Sequence, residues 1–495
     1  MALAGLATTD GTQRYRARFP ALAAATLGRT GLSVSQAGFG GYRIEGDDPD
    51  QRDAIVRSLR QGINLIDTSA NYGDGGAETQ IGAVIAELVG DGTLTREEIV
   101  VVSKGGYIQG QNYLLAQQRE DEGRPFPEVV KLEDGLWHCL HPQFLADQLT
   151  RSLARLDLEN LDVYLLHNPE YFLKRKGPLP TSVDRAEYER RLREAFRYLE
   201  TQVASGRIGS YGLSSNSFPS PATSADFTSL ERCLALAAEV QPDHHLLVVQ
   251  LPANLYEQGF LVERSQSGNR TFLDVAREQD LGVLINRPLN AFFRNQLIRL
   301  ADVPPGKAVD AADIEARIDE VTEAERQLLA SDWYDATHRP KLSQWLVIGD
   351  LLRTNLPSIS GREQWHDVVN HHVLPRVERA LHLLSHQSHP ALGAWQTRYD
   401  AAIRHVLQGL EQQFRHAAQA RTQALRGAIA PHIPETYTHL SLSQQAVTLL
   451  RSLDGVDCVL VGMRAEPYVD DVLGGLSVPV IPNADQAWRG LALPA

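Results

Sequence analysis

Short β-branched and aliphatic runs recur along this chain, and each is followed by a stretch of helical length with its apolar residues on one face. Continuous or alternating apolar runs of a few residues read as strands, and three-to-four periodicity reads as helix. The strand-like runs fall at 37–41, 64–67, 99–104, 161–167, 210–214, 246–250, 282–286 and 458–461. Helices are predicted at 52–60, 77–88, 144–156, 187–204, 227–240, 271–279, 442–450 and 467–473, one after each strand. Alternation of this kind is the signature of parallel α/β architecture. Eight units predict a closed (β/α)8 TIM barrel, with functional groups on the loops at the carboxyl ends of the strands.

Two places break the rhythm. Residues 105–142, after the third strand, mix glycine, glutamine, aromatic and charged residues in a long loop that should overhang the site. Residues 294–437, after the seventh strand, carry apolar residues at helical spacing, as in Ile314, Ile318 and Val321 and again in Val373, Val377 and Leu381. Connections of such length mean function, disorder or an inserted subdomain, and the periodicity predicts a large α-helical insertion. The expected domains are an N-terminal extension (1–25), a barrel from 26–293 and 438–482, the insertion (294–437) and a C-terminal tail (483–495).

With 43% hydrophobic and 22% charged residues among 495, the chain has the composition of an ordinary globular protein. The formal net charge of -13 argues against a phosphate-backbone partner. Lys174-Arg175-Lys176 is flanked by polar residues and reads as a solvated loop, and acidic residues accompany the histidines and arginines of the insertion throughout. Cys139, Cys233 and Cys458 stand far apart, which suggests neither a disulfide framework nor a zinc site. His138 with His141, His244 with His245, and His366 with His371 and His372 lack the carboxylate or cysteine spacing that would complete a metal shell. No run reaches the length of a membrane span, and no apolar leader opens the chain, so a cytoplasmic protein without a membrane partner is expected.

Chemistry collects where apolar strands end. The second strand closes on Asp67, and Tyr72 follows five residues later in Thr68-Ser69-Ala70-Asn71-Tyr72-Gly73. The third runs through apolar residues to Lys104, and an ammonium at a barrel mouth needs a partner. The fourth, Val163-Tyr164-Leu165-Leu166, ends in His167. A strand-end aspartate alone is a cap, and a histidine alone is a satisfied hydrogen-bonder. Three consecutive strands delivering Asp, Lys and His to one rim beside a phenol point instead to catalysis. Reduction of a carbonyl needs a proton for the developing alkoxide, and a phenol is slow to give one unless its anion is stabilised. Lys104 is expected to lower the pKa of Tyr72, Asp67 to hold Lys104, and a neutral His167 to donate to the substrate oxygen.

These residues resemble the Asp-Tyr-Lys-His tetrad of the aldo-keto reductase superfamily. Thr26-Leu27-Gly28-Arg29-Thr30-Gly31-Leu32 is similar to the family's amino-terminal hairpin, and Gly206-Arg207-Ile208-Gly209-Ser210-Tyr211-Gly212-Leu213-Ser214 to its fifth strand. After the insertion, Leu440-Ser441-Leu442-Ser443-Gln444-Gln445-Ala446 resembles the seventh helix, and Val459-Leu460-Val461-Gly462-Met463-Arg464 the eighth strand and turn. The resemblance implies an NAD(P)H-dependent reductase of aldehydes or ketones, or the reverse oxidation of the corresponding alcohols, with Tyr72 as proton donor. It further implies that Ser214, Ser215 or Asn216, and Gln250 hold the nicotinamide carboxamide, that the ribose lies near Gly41 and Asp67, and that the pyrophosphate lies under Arg287 to Asn290, including Leu289. The adenosine would be gripped by Gly462, Met463 and Arg464 with Tyr468 and Asp471.

Two departures stand out. The aromatic residue that usually stacks on the nicotinamide is Asn286 here, and Tyr468 replaces a frequent arginine, which leaves Arg464 as the candidate for the 2′-phosphate and favours NADP(H) over NAD(H). A Rossmann domain is excluded, because Gly38-Phe39-Gly40-Gly41 lacks the third glycine and the helix start. The competing readings are a regulatory or partner-binding protein on the same scaffold, and a barrel hydrolase or isomerase using Asp67 and His167. Phe126, Trp137, Phe292 and Phe293 are candidates for the substrate pocket or for core packing. The substrate and the oligomeric state are not encoded in any of these motifs.

Overall fold

The computed structural model describes residues 2–294, 296–331, 339–387 and 389–494. The chain divides into two compact units, one of Met1–Ala291 with His432–Leu491 and one of Phe292–Pro431 with Ala492–Ala495.

In the first unit the strands are β1 (Ala37–Gly40), β2 (Leu65–Asp67), β3 (Val100–Gly105), β4 (Leu161–His167), β5 (Ile208–Ser214), β6 (Leu246–Pro252), β7 (Gly282–Asn286) and β8 (Cys458–Val461). Each pairs in parallel with its neighbours, and β8 pairs with both β7 and β1, which closes the barrel. The helices that follow them are α1 (Pro49–Arg60), α2 (Gly76–Gly90), α3 (Pro142–Leu156), α4 (Ser182–Ala204), α5 (Leu230–Val240), α6 (Phe272–Glu278), α7 (Leu442–Arg451) and α8 (Glu466–Leu476). The expected (β/α)8 barrel is therefore the observed fold.

The barrel is filled rather than hollow, because inward-facing branched residues meet across it. Leu65, Val100, Val102, Val163, Leu165, Val248, Leu284, Cys458 and Leu460 form one buried cluster with Leu27, Leu32 and Val34. The last three come from a hairpin of Ala24–Thr26 and Ser33–Ser35 that stoppers the amino-terminal end of the barrel. Its turn needs glycine at position 28: φ is +44°, and a Cβ there would lie 2.3 Å from the Gly282 nitrogen. The N-terminal extension contributes a helix, Thr9–Ala17, whose Tyr15 is buried and donates to the Leu59 carbonyl at 2.6 Å. The C-terminal tail contributes Ala484–Gly490, anchored by buried Trp488, whose indole donates to the Leu449 carbonyl at 3.1 Å.

The long connection after β3 is folded. A helix, Gly110–Asp121, accompanies a three-stranded antiparallel sheet of Tyr107–Ile108, Leu136–His138 and Val130–Glu133. Ile108, Ala116, Phe126, Trp137, Cys139 and Phe144 make its core, so the packing reading of Phe126 and Trp137 is the one realised.

The second unit begins within a strand, Asn290–Phe293, that pairs with Gln296–Arg299, and beyond that pair its regular structure is helical among the described residues. Its helices include Ala311–Leu329, Ile348–Asn355, Leu374–Leu384 and the 40-residue Pro390–Ile429. Ile314, Ile318, Val321 and Val373 are buried in its core with Trp395, Tyr399 and Val406. Buried Glu325 caps the start of Ile348–Asn355, accepting from the Ile348 and Gly349 amides at 2.8 and 3.2 Å and from the Tyr399 hydroxyl at 3.0 Å. Phe292 is 55% exposed, so it packs in no core. Among the described residues no helix is long and apolar enough to cross a membrane.

Candidate active site

Parallel register sets the level at which each strand delivers its last side chain. His167 of β4 stands opposite Ser214 of β5, which stands opposite Gln250 of β6, so three polar residues share one level at the carboxyl rim. Asp67 ends β2 and Lys104 lies one residue before the end of β3. Tyr72 begins the turn after β2 and is fixed there by its amide, which donates to the Ser69 carbonyl at 3.1 Å.

The four predicted catalytic residues converge. Lys104 is fully buried, and its ammonium donates to Asp67 Oδ2 at 2.7 Å, to the Thr68 carbonyl at 2.9 Å and to the Tyr72 hydroxyl at 3.1 Å. Three protons thus meet three acceptors, as burial of a charge requires. Because Lys104 occupies the acceptor side of the Tyr72 hydroxyl, the phenolic proton is left to be donated elsewhere. The His167 ring lies edge-on to Tyr72 with centroids 6.1 Å apart, and its Nδ1 is 3.1 Å from Ser69 Oγ. Tyr42, 68% exposed, meets the other side of Tyr72 edge-on at 5.3 Å.

Electrostatics follow burial. The Tyr72 phenol is pushed well above its usual 10 by burial, then by the Asp67 carboxylate and Tyr42. This direction is opposite to the one expected from Lys104, because the ammonium's charge is already compensated by Asp67 while desolvation of the phenolate is not. Asp67 is raised by burial against the pull of Lys104 and Gln250, and Lys104 is lowered by burial against the pull of Asp67. His167 is held well below its usual 6.5 by burial and then by Lys104 and His138, so its imidazole is neutral.

Beside the tetrad, Gln250, Ser214 and Asn286 form one network with Asp67, whereas Ser215 and Asn216, expected at the same end, are held by Glu170. Gln250 donates to Asp67 Oδ1 at 2.7 Å, while its own oxygen accepts from Ser214 Oγ at 2.9 Å and Asn286 Nδ2 at 3.1 Å. Gly41 donates its amide to the Asp67 carbonyl at 2.8 Å, and a Cβ there would lie 2.9 Å from that oxygen. Asn286 Oδ1 and Thr68 Oγ1 are buried without a partner. An orphaned acceptor beside the Ser214 and Gln250 side chains suits a carboxamide, which brings both a donor and an acceptor, so these residues fit a nicotinamide cofactor.

The outer positions are placed differently. Arg287 adopts φ +54°, and its guanidinium is paired with Glu257 at 2.9 Å. Asn254 pins that turn by donating to the Arg287 and Asn290 carbonyls at 3.3 and 3.4 Å, and Leu289 lies within it, partly buried. Gly462, Met463 and Arg464 follow β8 directly, with Met463 buried and Gly462 exposed. Tyr468 on α8 is 48% exposed, whereas the Asp471 carboxylate already accepts from the Ser441 and Ser443 hydroxyls at the start of α7.

Several site residues escaped sequence reasoning. His138, from the sheet after β3, donates from Nε2 to the His167 carbonyl at 2.7 Å and is pushed down to about 4 by burial. Tyr107 lies edge-on against His167 at 4.7 Å and accepts from Asn168 at 2.6 Å. Glu170 is buried against Ser215 and Asn216. Only Glu170 had a signal in the chain, an acidic residue three positions past a strand-end histidine. Among the described residues no group of three or more His, Cys, Asp or Glu could hold a metal ion. His141 instead caps α3, and His245 pairs with Glu200 at 2.8 Å.

The sequence model of the Aldo/keto reductase family matches residues 37–321, more than half of the chain. The protein belongs to the aldo/keto reductase family. The chain is 32% identical over 197 residues to aldo-keto reductase family 1 member A1 of Bos taurus, covering 39% of this chain and 49% of that one. It is 30% identical over 149 residues to the NADH-specific methylglyoxal reductase of Escherichia coli (strain K12), covering 28% of this chain and 40% of that one. This aldo-keto reductase therefore spans about half the length of the curated relatives it matches. Similar solved structures include an aldo-keto reductase of Bacillus halodurans in its holo form, with 15% identity, TM-score 0.47 and coverage of 96% and 97%. Another is the aldo-keto reductase of Klebsiella pneumoniae in complex with NADPH, with 15% identity, TM-score 0.44 and coverage of 96% of each chain.

Proposed function

We propose that this aldo-keto reductase is an NAD(P)H-dependent oxidoreductase that reduces an aldehyde or ketone, or oxidises the corresponding alcohol, with Tyr72 as the proton donor. The observation that carries the reading is the orientation of Lys104, whose 3.1 Å hydrogen bond to the Tyr72 oxygen leaves the phenolic proton to a substrate. When bound, the dinucleotide supplies or accepts the hydride. The chain's own residues do the rest. Tyr72 stays protonated because burial opposes its ionisation, and it gives that proton to the alkoxide as negative charge develops. The Lys104 ammonium then faces the phenolate, and Asp67 keeps Lys104 charged. Neutral His167, steadied through its carbonyl by His138, donates to the same substrate oxygen and sets its position.

Ser214, Ser215, Asn216, Gln250 and Asn286 are assigned to the carboxamide, Gly41 with Asp67 to the ribose, and Arg287 with Leu289 to the pyrophosphate. Gly462, Met463, Arg464 and Tyr468 are assigned to the adenosine. Asp471 serves that end indirectly, through its hold on α7. The preference for NADP(H) rests on Arg464, and the relative named NADH-specific sets the competing outcome. Titrating NADPH and NADH by fluorescence, then following oxidation of NADPH with aldehydes, ketones and quinones, tests the reading. Binding of neither dinucleotide would sink it.

A further inference from the structure

Glu170 follows β4 in the turn Asn168-Pro169-Glu170 and is fully buried. Its Oε2 accepts the Ser215 hydroxyl at 2.9 Å and its Oε1 accepts the Asn216 backbone amide at 3.0 Å. Both donors lie just beyond β5. A carboxyl group that accepts at both oxygens is suited to the ionised form, because the acid carries a proton on one of them. Behind Ser215 runs a buried polar chain. Ser215 Oγ pairs with Ser217 Oγ at 3.1 Å, Ser217 Oγ donates to Thr228 at 3.0 Å, and Thr228 pairs with the Tyr188 hydroxyl at 2.9 Å.

Burial pushes Glu170 up to about 7, against the pull of Lys174 and of its own hydrogen bonds. The other titratable groups that face it, the phenols of Tyr107 and Tyr188, are pushed above their usual range by burial and stay neutral. Glu170 is thus the member of this cluster whose charge changes near neutral pH.

We propose that Glu170 is a positioning residue for the cofactor: as a carboxylate it fixes Ser215 and Asn216 for the nicotinamide carboxamide, and as an acid it releases them, so that dinucleotide affinity falls with pH. The inference rests on the assignment of Ser215 and Asn216 to the carboxamide. It makes cofactor retention sensitive to the acidity around the protein without any change in the tetrad.

The test measures NADPH dissociation constants by fluorescence between about pH 6 and pH 8 on the full chain, together with the Asn216 amide resonance of protein labelled with 15N-asparagine. Linkage to one group titrating near 7 predicts affinity about tenfold weaker at the acid end for the native chain. The Glu170→Gln variant should bind weakly throughout and keep only the slope that the NADPH 2′-phosphate, titrating at about 6, contributes, whereas Glu170→Asp, which keeps the charge, should retain the full slope. The Asn216 amide should titrate near pH 7 in the native chain without cofactor and be flat in Glu170→Gln. Binding with the native pH profile in Glu170→Gln would overturn the role of Glu170 and leave the cofactor assignment standing. An Asn216 resonance that does not titrate in the native chain would overturn it independently, even if Glu170→Gln fails to fold. A folded native chain that binds no NADPH at any pH would instead overturn the cofactor assignment, and this inference with it.

Discussion

Lys104 and Asp67 form a buried ion pair 2.7 Å long, with side-chain exposures of 0% and 5%. Breaking one partner of such a pair leaves an uncompensated charge in the barrel mouth. Lys104→Met is expected to cost about 3–5 kcal/mol of stability, as removal of one member of a buried pair generally does. Adding Asp67→Asn should recover much of the loss, and urea unfolding of the single and double variants measures it. A single variant as stable as the native chain would mean that the pair is not desolvated as described.

Tyr72→Phe removes the proton but keeps the ring that packs against Tyr42 and His167. Turnover should fall by about 10² to 10⁴, the usual worth of a positioned general acid. NADPH affinity should not change. Steady-state kinetics on a reactive aldehyde, paired with fluorescence titration, separates the two effects.

His138 touches no substrate in this scheme and acts through the His167 carbonyl. His138→Ala should lower kcat by about tenfold to a hundredfold, the scale of a small misplacement of a catalytic group. The dissociation constant of NADPH should stay as it was. A parallel loss of both would instead indicate general collapse of the sheet after β3.

Asp457 accepts from the Val283 amide at 2.9 Å, and burial pushes its carboxyl up to about 7. The unfolded chain releases that proton near its reference value of about 3.9. Between these values the folded protein holds a proton that the unfolded chain has lost, so stability declines as pH rises towards 7. Asp457→Asn should remove this decline, and its advantage in Tm over the native chain should be larger at about pH 8 than at about pH 4. Equal Tm differences at both ends would contradict the shift.

Gly28→Ala places a Cβ against the backbone of β7 at a residue with φ +44°. The strained backbone alone costs about 1–3 kcal/mol, and the contact adds to it. Thermal unfolding should show a clear drop in Tm with no change in the pH profile of activity in the surviving folded fraction.

The barrel was legible because every strand is an apolar run bounded by polar turns, and the tetrad because such runs end abruptly in Asp67, Lys104 and His167. Those signals are local. Glu170 and His138 act through Ser215, Asn216 and the His167 carbonyl, groups that reach them only after folding. The direction of the Tyr72 shift was missed for a related reason: the sequence reveals a cation held by Asp67 nearby but not how completely folding buries the phenol. The sheet after β3 was also hidden, since strands as short as Tyr107–Ile108 leave no period to read.

Closure of the barrel depends on β8, which pairs with β7 on one side and β1 on the other. The chain between Asn286 and Cys458 holds nearly all of the second unit, so a ribosome delivers seven strands long before the eighth. Through that interval β1 and β7 stand as open edges, and exposed edges invite pairing with other chains. The separate core of the second unit lets those residues fold while the gap remains. Slower synthesis through 287–457 lengthens that exposure and should lower the yield of native protein in cells.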